Sequence, residues 1–423
     1  MSLQNTMEKK LFQEELLVNK SNSQYTKWHE IKLLKKIFTL FGNDNIFIVG
    51  GAVRNVLSNK SLEDIDLAVK FNSDYVKKKL REKEIKFIDL SKGHGTVSII
   101  SKGNQIEITS MRIDKETYGR KAKVEFVEDI FLDSCRRDFT INAMYLGSNG
   151  KIYDPHDGAT DLKRRIVKFI GSPQKRIKED RLRILRYFRF LSYYGCNKNI
   201  IHSVSMLACL KSIKDISKIS KERRSYEFFK LIKGKYAADV LLLMKNKKIL
   251  KLVLPGIEKI ESSSIISINK LKKQKLIRLS FLVIIAKYNL DKLRENLFLK
   301  KHEFSYIKLL YSSYKLYDIC NIKEARLVKY KLGREASIGL YYLKCIINKQ
   351  NLRKTILKIL QDWLPPDFPL DGNDLNKIGL KRGILLGRTL KETQAWWIEK
   401  DFKPNKKQCL NKSRTFLINS KLL

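Results

Sequence analysis

The sequence predicts an α+β protein, a small mixed α/β head followed by a long, basic, all-helical extension. Three observations carry this. Up to Tyr153, short apolar segments with strand character alternate with helical ones. From about residue 161 onward apolar residues recur at helical spacing, with Pro and Gly sparse. The charge divides at the same place. Residues 1–160 hold 26 Lys+Arg against 22 Asp+Glu, and residues 161–423 hold 60 against 22, net charges of +4 and +38 that together make the chain's +42.

At 423 residues and 43% hydrophobic content the chain is long enough for two or more domains, and disorder is excluded as its main state. No apolar run approaches the roughly 18 residues that a membrane span needs, so no membrane partner is expected. The opening MSLQNTMEKKLFQEELL carries acidic residues where a secretory signal needs a basic and then an apolar stretch. The expected location is cytoplasmic. The six cysteines, Cys135, Cys196, Cys209, Cys320, Cys345 and Cys409, form no CxxC pair, which fits free thiols in a reducing compartment. A strongly positive field attracts polyanions, of which nucleic acid is the commonest large one. Part of the charge is also what a Lys-rich composition brings.

The elements follow in order. Residues 1–44 are expected to be a helical N-terminal segment, with Trp28, Ile31, Leu34, Ile37 and Phe38 on one side of a helix over 27–40. A short apolar strand, Ile46–Val49, ends in Gly50-Gly51. A second strand runs Asp64-Ile65-Asp66-Leu67-Ala68-Val69. A helix is expected near 73–85, then strands near 86–89, 96–101 and 105–110. The expected divisions are a head at 45–160, a neck at 161–232, a helical body at 233–364 and a helical tail at 365–423. The last break falls at the turn-rich LPPDFPLDGND.

Two groups of residues point to chemistry. Gly50-Gly51 after a strand allows close backbone approach to a phosphate, with Arg54 one turn further as a donor. Positions i and i+2 of a strand share a face, so Asp64 and Asp66 project together while Ile65 and Leu67 face the core. Paired carboxylates need a cation or a proton between them, and hard oxygens suit Mg²⁺. Glu107 sits on the polar face of the alternating strand QIEI and is a candidate third carboxylate. Further on, Asp180, Arg183, Arg186 and Arg189 recur every three residues. That spacing places them roughly on one helix face, where an ion-pair stripe is the plain alternative to a binding site. No GxxxxGK[ST] occurs, which excludes a P-loop.

Taken in order, IVGGAVRNVL, EDIDLAV, GHGTVSI, RRDFTINAMY, YDPHDGATDL, EDRLRILRYFRF and SKERRSYEFFKLI resemble the class II tRNA nucleotidyltransferases and bacterial poly(A) polymerases. The C-terminal LDGNDLNKIGLKRGILLGRTL is similar to that family's tail. The resemblance implies a polymerase-β-like nucleotidyltransferase head. It puts catalytic carboxylates at Asp64, Asp66 and Glu107, with Mg²⁺ on Asp64 and Asp66. It puts nucleotide binding at Gly50, Gly51, Arg54, Arg136, Arg137, Asp138 and Asn142, and at Arg112 and Asp114 beside a flexible loop through Tyr118-Gly119-Arg120. Glu179, Asp180, Arg183, Arg186 and Arg189 complete the set, with Asp180 and Arg183 as a protein template for the base and Glu179 orienting the Arg. Cytosine and adenine both offer an amine donor beside a ring-nitrogen acceptor; uracil and guanine present the reverse.

The implied activity is addition of CCA to the tRNA 3′ end from CTP and ATP, with release of pyrophosphate. A poly(A) polymerase using ATP alone is the alternative within the class, and GHGTV speaks for the CCA branch. A non-catalytic basic RNA-binding protein is the alternative outside it. Asn55 stands where the family usually has Asp, and Arg181 where it often has Pro. No His-Asp phosphohydrolase motif follows residue 232. Oligomeric state is left open.

Overall fold

Alternating apolar residues build the head sheet. The structure, a computed structural model, describes residues 16–17, 31–59, 65–90, 95–101, 104–118, 121–195 and 201–419. The strands are β1 (Leu16–Leu17), β2 (Ile46–Val49), β3 (Ile65–Val69), β4 (Ile88–Asp89), β5 (Thr96–Ser101), β6 (Asn104–Ser110), β9 (Tyr145–Leu146) and β10 (Lys151–Tyr153), in the order β1-β10-β9-β2-β3-β6-β5-β4. Strands β3 and β6 run parallel and the other neighbours antiparallel. Strands β7 (Arg112–Tyr118) and β8 (Lys121–Phe126) form a separate antiparallel ribbon.

Strand β2 is buried on both faces. Its Ile46 and Ile48 join Ile65, Leu67, Val69, Ile106 and Ile108 in the main core. Phe47 and Val49 join Ala68, Met111 and Tyr145 on the opposite face. Helix α1 (Lys32–Phe41) covers the main core with Leu34, Ile37, Phe38 and Phe41. It starts later than the expected 27–40 among the described residues, and Trp28 lies outside them. The segment 1–44, expected to be helical, also contributes the edge strand β1. Helices α2 (Gly51–Leu57), α3 (Ser73–Glu82) and α4 (Ile130–Cys135) complete the head.

Helices α5 (Gly158–Arg164), α6 (Pro173–Glu179), α7 (Leu182–Tyr194), α8 (Ser203–Lys211), α9 (Lys221–Ile232), α10 (Ala237–Asn246) and α11 (Leu250–Val253) follow. Helix α7 buries Ile184, Leu185, Tyr187, Phe188 and Leu191 and packs against α9. These elements belong with the head in one compact unit that runs to Glu258 and includes Asn296–Phe298, so residue 232 lies inside that unit.

The second unit comprises Lys259–Glu295 and the residues from Leu299 onward. Its α12 (Ser262–Ile266), α13 (Lys275–Ile285), α14 (Leu290–Asn296, whose last residue belongs to the first unit), α15 (Lys301–Leu316), α16 (Ile322–Ile347), α17 (Lys354–Asp362), α18 (Gly372–Lys377), α19 (Ile384–Glu399) and α20 (Lys406–Asn419) are helical as expected. The break at LPPDFPLDGND falls between α17 and α18. The tail core gathers around buried Trp397, whose Nε1–H donates to the Pro404 carbonyl at 3.0 Å. Among the described residues no helix is long and apolar enough to cross a membrane.

Candidate active site

Strand β2 runs into Gly50, which adopts φ 67°, and α2 begins at the next residue. A Cβ built on Gly50 would lie 3.8 Å from Asp66 Oδ2 and 3.8 Å from Arg137 Nη1, so this bare backbone faces one carboxylate and one guanidinium. Arg54, one turn into α2, donates through Nη1 to Asn142 Oδ1. Its guanidinium lies 5.2 Å from the Phe190 ring centre and 4.7 Å from that of Tyr194.

Asp66 is exposed on β3, between buried Ile65 and Leu67, as strand alternation requires. In the parallel β3–β6 register it stands opposite Glu107. The Glu107 carboxylate accepts from Gln105 Nε2 at 2.9 Å. Asp64 lies outside the described residues, as do Gly93, His94, Gly119 and Arg120. Among the described residues no three His, Cys, Asp or Glu side chains converge as a metal-holding group. The donors expected to hold a divalent ion are carboxylate oxygens, with Asp66 facing the cavity and Glu107 on the neighbouring strand. They fit a hard cation.

The RRD segment is fixed by a buried carboxylate that sequence reasoning did not select. Asp133 of α4 accepts from Arg136 Nε at 2.8 Å, Arg137 Nη2 at 3.1 Å, Tyr145 O–H at 2.6 Å and the Arg112 backbone N–H at 3.1 Å. Burial pushes its carboxyl up, but the Arg136 and Arg137 charges and the Tyr145 hydroxyl bring it down to about 2. The spacing of Asp133 from Arg136 and Arg137, three and four residues on, was the available signal. Asp138 accepts from Asn142 Nδ2 at 2.8 Å and from Arg186 Nε at 2.6 Å. Burial raises its carboxyl, yet Arg186 and Asn142 hold it below the usual carboxylate range.

The stripe Asp180–Arg183–Arg186–Arg189 is not one helix face. Helix α6 ends at Glu179, and Asp180 is extended at φ −145°, ψ 108°. Its Oδ1 accepts from the Leu182 N–H at 3.1 Å, at the start of α7. Short acidic side chains favour helix starts because they satisfy orphan N–H groups there. An expected Asp180–Arg183 stripe pair gives way to separate partners. Arg183 Nη1 donates to Glu179 at 2.5 Å and to the Arg176 carbonyl at 2.9 Å, and its Nη2 to the Arg136 carbonyl at 3.2 Å. Glu179 is thus the carboxylate partner of Arg183. Arg189 is buried against Glu227, Nε to Oε2 at 3.2 Å, and burial lifts the Glu227 carboxyl despite Arg189 and Arg186. Asp180 Oδ2 accepts from Arg223 Nη2 at 2.8 Å.

One cavity of about 620 Å³ gathers Gly50, Gly51, Arg54, Asp66, Arg136, Arg137, Asp138, Asn142, Asp180, Arg183, Arg186 and Arg189. Its described lining does not include Glu107, Arg112, Asp114 or Glu179. Arg112 and Asp114 instead approach each other to 3.9 Å on the β7–β8 ribbon. The lining adds Arg223, Tyr226 and Lys230 of α9, which sequence reasoning did not single out. Their segment, SKERRSYEFFKLI, had been recognised as a whole.

Residues 46–168 match the family described as Poly A polymerase head domain, and residues 200–261 the one described as Probable RNA and SrmB-binding site of polymerase A. Mitochondrial CCA tRNA nucleotidyltransferase 1 of Homo sapiens is 31% identical over 397 residues, and that of Mus musculus 30% identical over 396, each alignment covering 89% of both chains. The CCA-adding enzyme of Bacillus pumilus is 35% identical over 215 residues, 50% of this chain and 52% of its own. Among solved structures, the Bacillus stearothermophilus CCA-adding enzyme in complex with CTP shares the fold at a TM-score of 0.77 and 20% identity, over 92% of this chain and 99% of its own. The Thermotoga maritima CCA-adding enzyme complexed with tRNA matches at a TM-score of 0.62 and 19% identity, over 93% and 98%. A likeness that runs through head and helical extension alike, at 30–31% identity over nearly nine-tenths of the full-length relatives, means that this chain belongs to the CCA tRNA nucleotidyltransferase family.

Proposed function

We propose that this enzyme adds C, C and A in turn to the 3′ end of tRNA, using CTP and ATP and releasing pyrophosphate. The observation that carries the reading is the single cavity in which the glycine turn, Asp66, the RRD segment and the Asp180–Arg183 pair meet. In this reading residues 45–160 transfer the nucleotide, 161–232 read the base, and 233–364 with 365–423 hold RNA.

Gly50 and Gly51 let the backbone approach the triphosphate, with Arg54, Arg136 and Arg137 as donors to its oxygens. Asp138, held by Arg186 and Asn142, accepts from sugar hydroxyls. Asp180 accepts from the exocyclic amine of cytosine or adenine and Arg183 donates to the adjacent ring nitrogen. Uracil and guanine would leave both residues facing a like group, a costly mismatch in a partly enclosed site. Arg112 and Asp114 belong to the same reading through their ribbon. Asp64 and Asp66, with Glu107 beside them, would hold Mg²⁺. When bound, the ion lowers the pKa of the attacking hydroxyl and neutralises charge on the triphosphate. The thiols of Cys135, Cys209, Cys320, Cys345 and Cys409 are free, which fits the cytoplasm or another reducing compartment.

The test is to incubate a tRNA transcript lacking CCA with each labelled nucleotide and read the product length. Two C followed by one A is expected. A long A tail would instead make this a poly(A) polymerase, and no addition would leave an RNA-binding protein.

A further inference from the structure

The two residues read as the base template are anchored from different elements. Arg183 is held by Glu179, at the end of α6, and by two backbone carbonyls. Asp180 is held across the cavity wall by α9, through Arg223 at 2.8 Å, and both side chains of this pair are about a fifth exposed, at 21% and 23%. The other Asp180 oxygen is committed to the Leu182 N–H. With one oxygen on backbone and the other on a guanidinium, the carboxylate cannot rotate without breaking a hydrogen bond. Each carboxylate oxygen has two acceptor sites. Oδ2 can therefore keep Arg223 and still accept one amine hydrogen. Arg223 itself lines the cavity beside Asp180, Leu182 and Arg183.

We propose that Arg223 is a positioning residue that sets base choice by keeping the Asp180 carboxylate aimed as an acceptor. This inference rests on the base-template reading above. Without Arg223, Asp180 keeps only its Leu182 bond and turns freely about it. The bases that must donate to it, cytosine and adenine, then lose their partner's fixed direction. Uracil and guanine, which do not donate there, lose nothing.

The test measures kcat/KM for all four nucleotides on CCA-lacking tRNA in the wild type, Arg223→Met, Arg223→Lys, Asp180→Ala and the Asp180→Ala/Arg223→Met double variant. Arg223→Met should lower CTP and ATP use about tenfold, the worth of one charge-assisted hydrogen bond, and leave misincorporation of UTP and GTP unchanged. Arg223→Lys, which keeps a charged donor, should recover most of the preference. In the Asp180→Ala background Arg223→Met should cost nothing further, because the effect runs through Asp180. Equal losses with all four nucleotides, or an undiminished loss in the Asp180→Ala background, would overturn the proposal and make Arg223 a support of the fold. If Asp180→Ala relaxes base choice while Arg223→Met does not, this inference alone falls. If Asp180→Ala leaves the CTP over UTP preference intact, the template reading falls and takes the inference with it. Should thermal melting show Arg223→Met unfolded, Arg223→Gln takes its place in every comparison.

Discussion

Arg183 rests on Glu179, Arg186 on Asp138, Arg189 on Glu227 and Arg223 on Asp180, so a highly basic cavity is kept in shape by carboxylates. Removing one partner of a buried pair costs more than the pair contributes, because the other charge stays behind. Asp133 is the clearest case. Asp133→Asn should lower unfolding stability by about 3 kcal/mol in urea titrations, since Arg136 and Arg137 lose their shared counter-charge. Its pH dependence has a definite sign. The folded carboxyl lies near 2, below its ordinary value of 3.8, so the stability it contributes is complete above 3.8 and is lost as pH falls through about 2. The wild type should lose about 2 kcal/mol more than Asp133→Asn across that window in acid melts. Asp66 is exposed and carries no core packing. Asp66→Ala should therefore leave melting temperature and tRNA affinity unchanged while incorporation drops at least about a thousandfold. Retained turnover would remove Asp66 from the reaction.

Local rules placed the strands and helices well, and failed where a residue's duty at a chain break outweighed its spacing. The glycine turn after β2, the alternation in β3 and β6 and the break before α18 were all legible, because each follows from the chain's own nearest neighbours. The helix face expected to carry Asp180, Arg183, Arg186 and Arg189 was not. Its threefold Asp–Arg spacing suggested one continuous face, but Asp180 serves as a backbone acceptor between two helices. Asp133 could have been read from its i+3 and i+4 spacing to Arg136 and Arg137, whereas Glu227 and Arg223 were missed because their partners lie outside their own helix, which spacing does not reveal. The meeting of α7 with the chain after α9 is equally a matter of contact. A Cβ on Gly234 would fall 2.3 Å from Ser192 Oγ and 2.5 Å from the Ser192 carbonyl. Gly234→Ala should therefore cost about 1–3 kcal/mol of stability by overpacking, read from chemical denaturation. It should also depress CTP and ATP use together, because α7 carries Arg183 and Arg186. An alanine tolerated at no cost would mean that this crossing has slack.

The charge of the whole molecule is the property that acts at longest range. Net +42, with 60 basic residues against 22 acidic beyond residue 160, makes phosphate neutralisation the expected source of RNA affinity. For about six phosphate contacts, tRNA affinity should fall about a thousandfold between roughly 50 and 200 mM salt. Filter-binding or fluorescence titrations would measure it, and a salt-independent Kd would remove the basic extension from RNA binding. The sequence by itself determined the order of elements, the charge division, the glycine turn, the exposed Asp66 and the family, because these depend on neighbouring residues or on ordered motifs. Only the tertiary structure decided which carboxylate holds which arginine, that Glu107, Arg112 and Asp114 lie off the described cavity wall, and that Arg223 joins Asp180. Those pairings link residues as far as 48 positions apart, as Asp138 and Arg186 are. Their partners are chosen by the packing of separate elements and by the need to neutralise charge once water is excluded.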